Sequence, residues 1–324
     1  MTSSWKMVAD IGGSNARFGL VNARGLVAFS KTFAVADFPT LEEALNQFLS
    51  ALRSAGGWAE LPTAACFALA CPIQGQTFHF TNSPWQVVPD ELAAALGLDA
   101  VAVINDFAAI GYAVTELAPA DWVSLGGGDG LASEPVGVLG AGTGLGVCSV
   151  IPARSGWQPQ IVAGEGGHVD FAPQDDLEVA LYHYLASRYG HVSVERILSG
   201  PGILETYRFL SEALDKPRQQ DSAEAISMSA LAGGEVLATE TLALFCRVLG
   251  SAAGNLALTL GARGGVYIAG GIVPQIMGLV QASECRKRFE DKGRFARYLA
   301  DIPLRVITRD QLGLLGAGAY LRCT

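Results

Sequence analysis

Two adjacent polar residues, Asn105 and Asp106, interrupt the apolar sequence VAVINDFAAIGY at residues 101–112. Residues 101–104 are apolar and partly β-branched, which predicts a buried strand, and the residues after Asp106 predict a helix. Asn105 and Asp106 would then lie at the carboxyl end of a strand, where open α/β sheets bind ligands. A carboxylate there can act as a general base. Alternatively, Asp106 is the N-cap of the helix, since aspartate is favoured at that position.

Two glycine-rich turns are the next candidates for chemistry. Gly12-Gly13-Ser14-Asn15 follows a predicted strand that ends beside Asp10, and Gly142-Thr143-Gly144 follows a second one. Neighbouring glycines allow several backbone N–H groups to point into one concavity, which suits phosphate. An ordinary hairpin turn is the alternative for either turn alone. Because the same context occurs twice, we expect a duplicated α/β domain whose halves face each other, each offering one phosphate-binding turn.

Three further segments carry polar or glycine residues in a mainly apolar chain. Glu165 and His168 lie among glycines in GEGGHVDF, where they could pair with each other or line a pocket for hydroxyl groups. A metal site is less favoured there, because no second histidine stands at ligand spacing. Glu195 alone is typical of a solvated acid at a helix start. Gly270-Gly271 ends a predicted strand, and its backbone could approach a flat ligand closely.

The composition indicates a globular protein of 324 residues, 50% hydrophobic and 16% charged. Its net charge of -9 argues against nucleic acid or an anionic membrane as a partner. The six cysteines form no CxxC pair, and no signal peptide or uninterrupted span of about 18 apolar residues is evident, so we expect a cytoplasmic protein without a membrane span. The sequence contains neither a Walker A loop nor GxGxxG, so a nucleotide site would have to use the glycine turns.

Five segments of the chain resemble the bacterial glucokinase family, which belongs to the hexokinase, Hsp70 and actin superfamily. In chain order, these segments are DIGGSNARFGLV, VINDFAAIGYAV, GAGTGLGV, GEGGHVDF and VYIAGGIVP. The resemblance covers nearly the whole chain. It implies an α/β, two-domain actin-like ATPase fold (a duplicated ribonuclease H-like fold) with an active-site cleft between the domains. The small domain would hold residues 1–110 plus about 301–324, and the large domain residues 111–300. GEGGHVDFAPQDD contains no cysteine, which favours the zinc-free glucokinases over the related zinc-containing sugar kinases and repressors.

The resemblance also implies a reaction, the transfer of the ATP γ-phosphoryl group to the 6-hydroxyl of glucose, the first step of glycolysis. Asp106 would be the base, and Asp10 would organise Mg²⁺ through water. The residues that would bind the sugar are Asn82, Asn105, Asp106, Glu165, His168 and Glu195. The residues that would bind ATP are Asp10, Gly12, Gly13, Ser14, Asn15, Gly142, Thr143, Gly270 and Gly271. The resemblance further implies a homodimer.

Three alternatives stay open from the sequence. The first is a kinase with another hexose, or with ADP or polyphosphate as donor, because glycine turns do not distinguish donors. The second is a non-enzymatic sugar sensor or repressor. Such proteins usually carry a basic helix-turn-helix domain before the first glycine turn, and the first predicted strand here starts near Met7. The third is an actin-like or chaperone-like nucleotide switch, which the NDF and GEGGH segments disfavour.

Overall fold

The structure is a computed structural model that describes residues 5–56, 62–80, 83–154 and 157–323. The strands are β1 (Lys6–Ile11), β2 (Asn15–Val21), β3 (Val27–Ala34), β4 (Ala64–Leu69), β5 (Phe78–His79), β6 (Gln86–Val87), β7 (Ala100–Asn105), β8 (Trp122–Ser124), β9 (Val136–Ala141), β10 (Leu145–Ile151), β11 (Gln160–Gly164), β12 (Gly265–Ala269) and β13 (Leu304–Ile307). The α-helices are α1 (Leu41–Ala55), α2 (Pro89–Leu96), α3 (Asp106–Val114), α4 (Asp176–Tyr189), α5 (Gly200–Ala213), α6 (Ala223–Leu231), α7 (Val236–Leu260), α8 (Ile272–Gln275), α9 (Met277–Ala282), α10 (Cys285–Glu290), α11 (Ala296–Ala300) and α12 (Leu312–Cys323). Short 3₁₀ helices cover Val35–Asp37, Pro119–Asp121, Gly166–His168, Val194–Arg196 and Gly293–Phe295.

The chain divides into two compact units. The first unit comprises Met1–Ala118, Gly156–Ala163 and Arg309–Thr324, and the second comprises Pro119–Ser155 and Gly164–Thr308. Residues 301–308 belong to the second unit, because β13 pairs there with both β12 and β8. The chain therefore passes between the compact units at 118/119, 155/156, 163/164 and 308/309. The sequence predicted domain limits near 110 and 301.

Both units contain the same arrangement of four strands. In the first unit, β1 pairs with β2 antiparallel and with β4 parallel, and β4 pairs with β7 parallel. In the second unit, β9 pairs with β10 antiparallel and with β12 parallel, and β12 pairs with β13 parallel. This repetition is the duplication that the two glycine turns predicted.

The sheet of the first unit buries both of its faces, because successive side chains of a strand point to opposite sides. Met7, Ala9 and Ile11 of β1 pack with Phe18 and the apolar side of α1. On the other face, Val8 packs with the apolar side chains of α3 and α12. The close approach of these two helices depends on Gly316 of α12, where an added Cβ would lie 1.7 Å from the carbonyl oxygen of Ala109.

A long helix, α7, organises the core of the second unit. Gly137 of β9 lies against α7, since an added Cβ would approach Leu256 to 3.0 Å. Gly250 and Gly254 let α10 pack closely on the helix, because added Cβ atoms would lie 2.0 Å from the Cys285 oxygen and 2.5 Å from the Phe289 oxygen. Small residues thus set how closely the helices of this layer pack.

The same helix is long and apolar enough to cross a membrane by length and composition alone. Its most apolar 18-residue window is 67% buried inside the structure. That degree of burial is typical of a core helix, and α7 has its burial partners within the second unit.

Candidate active site

The junction of β7 and α3 places Asn105 and Asp106 at the carboxyl end of a parallel strand. Asn105 is the N-cap of α3, since its Oδ1 accepts hydrogen bonds from the N–H groups of Phe107 (2.9 Å) and Ala108 (3.1 Å). Asp106 is the first residue of the helix, so the alternative that Asp106 is the cap is wrong. The Asn105 Nδ2 donates to the Asp106 Oδ1 at 3.0 Å, and the Phe107 N–H donates to the same oxygen at 2.8 Å. The capping residue therefore orients the carboxylate beside it.

Asp10 lies on the neighbouring part of the same sheet. Its partner on β4 is Ala68, and the next residue of β4, Leu69, is paired with Asn105. Because adjacent strands lie about 4.8 Å apart, Asp10 and Asn105 stand roughly 10 Å apart at the carboxyl ends of β1 and β7. The structure thus brings the proposed Mg²⁺ residue and the proposed base to the same edge of this sheet.

The environment of Asp10 is crowded and poorly hydrated. Burial raises the pKa of Asp10 above its ordinary value of 3.8, and the nearby Arg17, with Nη1 3.2 Å from Oδ2, partly opposes that rise. The start of α12 also lies against this carboxyl group, because a Cβ added to Gly313 would stand 2.4 Å from the Asp10 Cγ. Only a glycine fits at 313 without moving Asp10.

The first glycine turn connects β1 and β2. The Gly12 N–H donates to the Asn15 oxygen at 2.9 Å, and the Ser14 oxygen accepts the Val35 N–H at 2.9 Å. Gly12 and Gly13 are half-buried, whereas Ser14 and Asn15 are exposed. The turn is therefore braced from one side and accessible to a ligand from the other.

A metal at this turn would have few protein ligands. Among the described residues, no group of three His, Cys, Asp or Glu side chains could hold a metal ion. Mg²⁺ commonly keeps several waters and binds through one or two carboxylates together with substrate phosphates. A single carboxylate beside an amide-lined turn, as Asp10 provides, fits that mode of binding and would not suit Zn²⁺.

The second glycine turn connects β9 and β10 and is contacted by two other segments. The Gly142 N–H donates to the Gly144 oxygen at 2.8 Å, and the Gly142 oxygen accepts the Gly200 N–H at 2.8 Å. Gly270, with φ +88°, lies so close that an added Cβ would be 2.2 Å from the Ala141 oxygen. Gly142 and Gly271 have open space where a side chain would be. The structure thus brings together the predicted phosphate turn and the predicted adenosine turn.

The start of α5 is a feature that the sequence reasoning missed. Ser199 caps this helix by accepting the Gly202 N–H at 3.1 Å, and Pro201 occupies a first-turn position. The first helical residue, Gly200, donates directly to the phosphate turn. A helix N-terminus favours anions, so α5 adds a second source of positive potential beside this turn. The Ser-Gly-Pro-Gly sequence was the available signal, since serine followed by proline marks a helix start.

Glu195 reaches the same turn with its side chain. Its Oε2 accepts the N–H of Leu145, the first residue of β10, at 2.8 Å. The carboxylate also occupies the space next to Gly144, where an added Cβ would lie 2.6 Å from Oε2. Glu195 belongs to a 3₁₀ helix and is not the solvated acid that the sequence alone favoured.

Glu165 is the N-cap of the 3₁₀ helix at 166–168 and His168 is its last residue; this helix packs on β10. Added Cβ atoms would lie 2.1 Å from the Leu145 oxygen at Gly167 and 2.8 Å from the Val147 Cβ at Gly166, so the two glycines are required for this contact. His168 Nδ1 stands 4.0 Å from Glu195 Oε1. The structure therefore clusters His168 and Glu195, which the sequence separates, and leaves His168 more than half exposed.

Residues 165–171 and 191–196 form a short two-stranded ribbon that holds these groups, and His191 lies at its end. The Val194 N–H donates to the Val169 oxygen (3.0 Å), and the Phe171 N–H donates to the Val192 oxygen (2.9 Å). His191 Nε2 lies 3.1 Å from the His168 oxygen, to which it can donate, and its Nδ1 lies 3.5 Å from Asp170. Sequence reasoning missed His191, because nothing in its local sequence indicates a partner 23 residues away.

One predicted sugar residue, Asn82, lies outside the described residues. The other predicted side chains of the site fall into two groups. Asp10, Asn105 and Asp106 lie with the first glycine turn in the first unit. Glu165, His168 and Glu195 lie with the second glycine turn and Gly270-Gly271 in the second unit.

Comparisons with known proteins show the family of the chain. The glucokinase family model matches residues 7–324. A curated glucokinase of Chromobacterium violaceum is 42% identical over 323 residues, covering 99% of this chain and 90% of its own length. A glucokinase of Shigella sonnei is 40% identical over 99% of this chain and 98% of its own.

Solved structures of glucokinases have the same fold as this chain. A glucokinase from an Antarctic psychrotroph superposes with a TM-score of 0.86 at 34% identity, covering 100% of both chains. A Balamuthia mandrillaris glucokinase in complex with glucose gives a TM-score of 0.81 at 22% identity, covering 99% of this chain and 94% of its own. The fold is thus that of the two-domain actin-like ATPases, which include the hexose kinases. The chain belongs to the glucokinase family, and both the predicted family and the predicted fold class are confirmed.

Proposed function

We propose that this chain transfers the γ-phosphoryl group of ATP to the 6-hydroxyl of glucose, releasing ADP and glucose 6-phosphate. The observation that carries the proposal is the Asn105–Asp106 junction, where a capping amide orients a carboxylate at the carboxyl end of β7. Family membership supplies the reaction class. The orientation of the Asp106 carboxylate supports its proposed role as the acceptor of the one proton that must leave the attacking hydroxyl.

In this mechanism Asp106 accepts the proton of the 6-hydroxyl as its oxygen attacks the γ-phosphorus and the bond to the β-phosphate oxygen breaks. The Asn105 amide keeps the Asp106 carboxylate oriented. A positioned base contributes about 10²–10⁴-fold to such a step. The remaining acceleration comes from holding the reactants in line and from stabilising the charge on the phosphoryl oxygens.

The second unit would supply the other sugar-binding groups. Glu165 and Glu195 can accept hydrogen bonds from sugar hydroxyls, and the His168 imidazole can donate or accept one. Asn82 is proposed as a further sugar residue on the resemblance alone. A set of acceptors matched to hydroxyl groups discriminates strongly against a sugar that lacks one of them, because a buried acceptor is then left unpaired.

The two glycine turns would bind the phosphates of ATP. One phosphate site would be formed by Gly12, Gly13, Ser14 and Asn15. The other would be formed by Gly142 and Thr143, and the N-terminus of α5 would assist this second site. Gly270-Gly271 would lie against adenosine. Mg²⁺, when bound, neutralises charge on the β- and γ-phosphate oxygens, and Asp10 would hold it through water.

We further propose a cytoplasmic homodimer that binds neither nucleic acid nor membrane. The buried position of α7 supports the proposal that the chain does not bind a membrane, and the net charge of -9 supports the proposal that it binds neither nucleic acid nor an anionic membrane. The homodimer rests on the family resemblance, and light scattering after size-exclusion chromatography would test it by giving twice the 33.8 kDa chain mass.

A substrate and donor panel tests the proposed function. We expect the purified chain to form glucose 6-phosphate from glucose, ATP and Mg²⁺, and to turn over 6-deoxyglucose not at all, since that sugar lacks the accepting hydroxyl. ADP and polyphosphate replace ATP in parallel reactions. Turnover of another hexose at a higher kcat/KM, or a preference for another donor, would overturn the assigned specificity. Sugar binding without any phosphorylation would favour a sugar sensor on the same fold.

A further inference from the structure

A single carboxylate in the second unit contacts both the phosphate turn and the sugar-binding histidine. Glu195 Oε2 accepts the Leu145 N–H at 2.8 Å, at the point where the turn joins β10. Glu195 Oε1 lies 4.0 Å from His168 Nδ1. The Glu195 side chain is 30% exposed, so the carboxylate retains access to a ligand while it braces the turn.

The space beside this carboxylate requires a glycine at 144. An added Cβ would stand 2.6 Å from Glu195 Oε2, closer than real Cβ contacts occur. Gly144 does not have a positive φ, so an alanine would be compatible with the backbone there. The constraint on Gly144 is therefore the position of the Glu195 carboxylate. Gly142, two residues earlier, has no described residue within 4 Å of an added Cβ and provides a matched comparison.

A second connection runs through the backbone. The Ser199 hydroxyl donates to the Glu195 carbonyl oxygen at 2.8 Å, and the next residue, Gly200, donates its N–H to the Gly142 oxygen at 2.8 Å. The segment that carries Glu195 is thus tied to the turn at Gly142 and at Leu145. A movement of Glu195 toward a ligand would be transmitted to both ends of the turn.

We propose that Glu195 is a positioning residue for the second phosphate turn and that it thereby couples sugar binding to nucleotide binding. The inference rests on the proposed role of Glu195 as a sugar ligand. A sugar hydroxyl that binds this carboxylate fixes its position, and the fixed carboxylate holds the Leu145 N–H and the turn in the geometry that receives phosphate. Because coupling between two sites is reciprocal, a change in the turn that displaces the Glu195 carboxylate must also alter sugar affinity.

The first test measures glucose binding by calorimetry without any nucleotide. Gly144→Ala pushes on the Glu195 carboxylate from the side of the nucleotide turn, so we expect its glucose Kd to rise about five- to tenfold, the effect of weakening one or two hydrogen bonds. Gly142→Ala adds the same methyl group to the same turn without contacting Glu195, and its glucose Kd should match that of the natural chain. Melting temperatures establish that both variants are folded.

The second test measures the reverse direction, with the ATP analogue AMPPNP and Mg²⁺ in the absence of sugar. Glu195→Ala removes the acceptor of the Leu145 N–H, so we expect the AMPPNP Kd to rise about threefold to tenfold. Glu165→Ala removes the other proposed sugar carboxylate, whose side chain makes no hydrogen bond to the turn in the described part of the chain. Its AMPPNP Kd should stay that of the natural chain.

The inference is overturned if Gly144→Ala and Gly142→Ala give the same glucose Kd, or if the two glutamate variants give the same AMPPNP Kd. The glutamate variants also separate this result from a failure of the proposed function. If neither Glu165→Ala nor Glu195→Ala weakens glucose binding, then the sugar site itself is wrong, and the coupling inference falls with it. If both weaken glucose binding while only Glu195→Ala weakens AMPPNP binding, the inference stands.

Discussion

At the scale of single residues, Asp10 shows how burial and charge compete at the proposed Mg²⁺ site. Burial raises the pKa of its carboxyl group, and the ion pair with Arg17 lowers it by a smaller amount. The Arg17 side chain is 44% exposed, so much of its charge is screened by solvent. The site therefore holds a carboxylate that is costly to ionise, and a bound cation would compensate this cost.

We predict that Asp10→Asn stabilises the chain at neutral pH while it abolishes Mg²⁺-dependent activity. Between 3.8 and the raised pKa, the folded chain binds more protons than the unfolded chain, so the free energy of unfolding falls as pH rises through that range. At pH 7 the amide variant avoids this cost and should melt at a higher temperature than the natural chain. The gain should vanish below pH 3.8.

Melting curves from pH 3 to pH 8 would check the Asp10 prediction. Asp37→Asn, at an exposed aspartate in the same unit, controls for the general effect of removing a negative charge. A lower melting temperature for Asp10→Asn at pH 7 would show that the pair with Arg17 outweighs burial.

At the scale of elements, the ribbon formed by residues 165–171 and 191–196 positions the groups of the second unit that are proposed to bind the sugar. Hydrogen bonds between its two segments join the 3₁₀ helix that ends at His168 to the one that carries Glu195. His191 lies at the end of this ribbon and contacts the His168 carbonyl oxygen.

We predict that His191→Ala raises the glucose KM and leaves the ATP KM and kcat close to those of the natural chain. Because the variant loses one hydrogen bond, we expect the glucose KM to rise about threefold to tenfold. His191→Gln keeps an N–H donor and should recover part of the affinity. The exposed His183 on α4 offers a control, and His183→Ala should have no effect on the glucose KM. Equal changes in all three kinetic parameters would point instead to a general loss of structure.

A buried ion pair joins three helices of the second unit. Glu178 of α4 is fully buried and accepts two hydrogen bonds from Arg288 Nη2 of α10, at 2.7 and 2.9 Å. Arg247 of α7 lies 3.8 Å from the same carboxylate. We predict that Arg288→Met lowers the free energy of unfolding by about 3–5 kcal/mol, because it leaves a buried carboxylate short of its main partner.

Urea denaturation would measure this effect. Lys287→Met is the matched control at the residue before Arg288, since it breaks an exposed pair with Glu284. The control should leave the urea midpoint unchanged within error. An equally small change for Arg288→Met would show that the Arg247 charge suffices for Glu178.

At the scale of the whole molecule, the thiols are protected by the fold. Five of the six cysteines are buried, and Cys323 is partly exposed. Burial raises the pKa of Cys66 and Cys285, and raises the pKa of Cys246 to about 11. Burial also raises the pKa of Cys71, and the neighbouring Asp106 charge raises it further. Thiols of this kind hold little thiolate near neutral pH and react slowly.

We therefore predict that Ellman's reagent at pH 8 modifies one thiol rapidly in the native chain and six in urea. Cys323→Ser should remove the rapid phase. A second rapid thiol in that variant would mean that one of the buried cysteines becomes accessible in solution.

The sequence indicated those candidate site residues that stand where a strand joins a turn or a helix, because such junctions are local patterns. Asn105, Asp106 and both glycine turns were found in this way, and the duplicated topology followed from the turns. The contact of Glu195 with Leu145 spans 50 residues, and no local pattern indicates it. The approach of Gly313 to Asp10 is equally non-local. The cap at Asn105 was missed because asparagine and aspartate are both favoured caps and stand side by side.

The central claim concerns Asp106, and the most direct test compares the natural chain with Asp106→Asn in ATP-dependent, Mg²⁺-dependent phosphorylation of glucose. The amide is nearly isosteric, so the variant should keep the fold and retain part of the glucose binding. We predict that kcat falls by at least about 10²-fold, the contribution of a positioned base. Equal turnover by both chains would contradict the account, because Asp106 would then be only the first residue of α3.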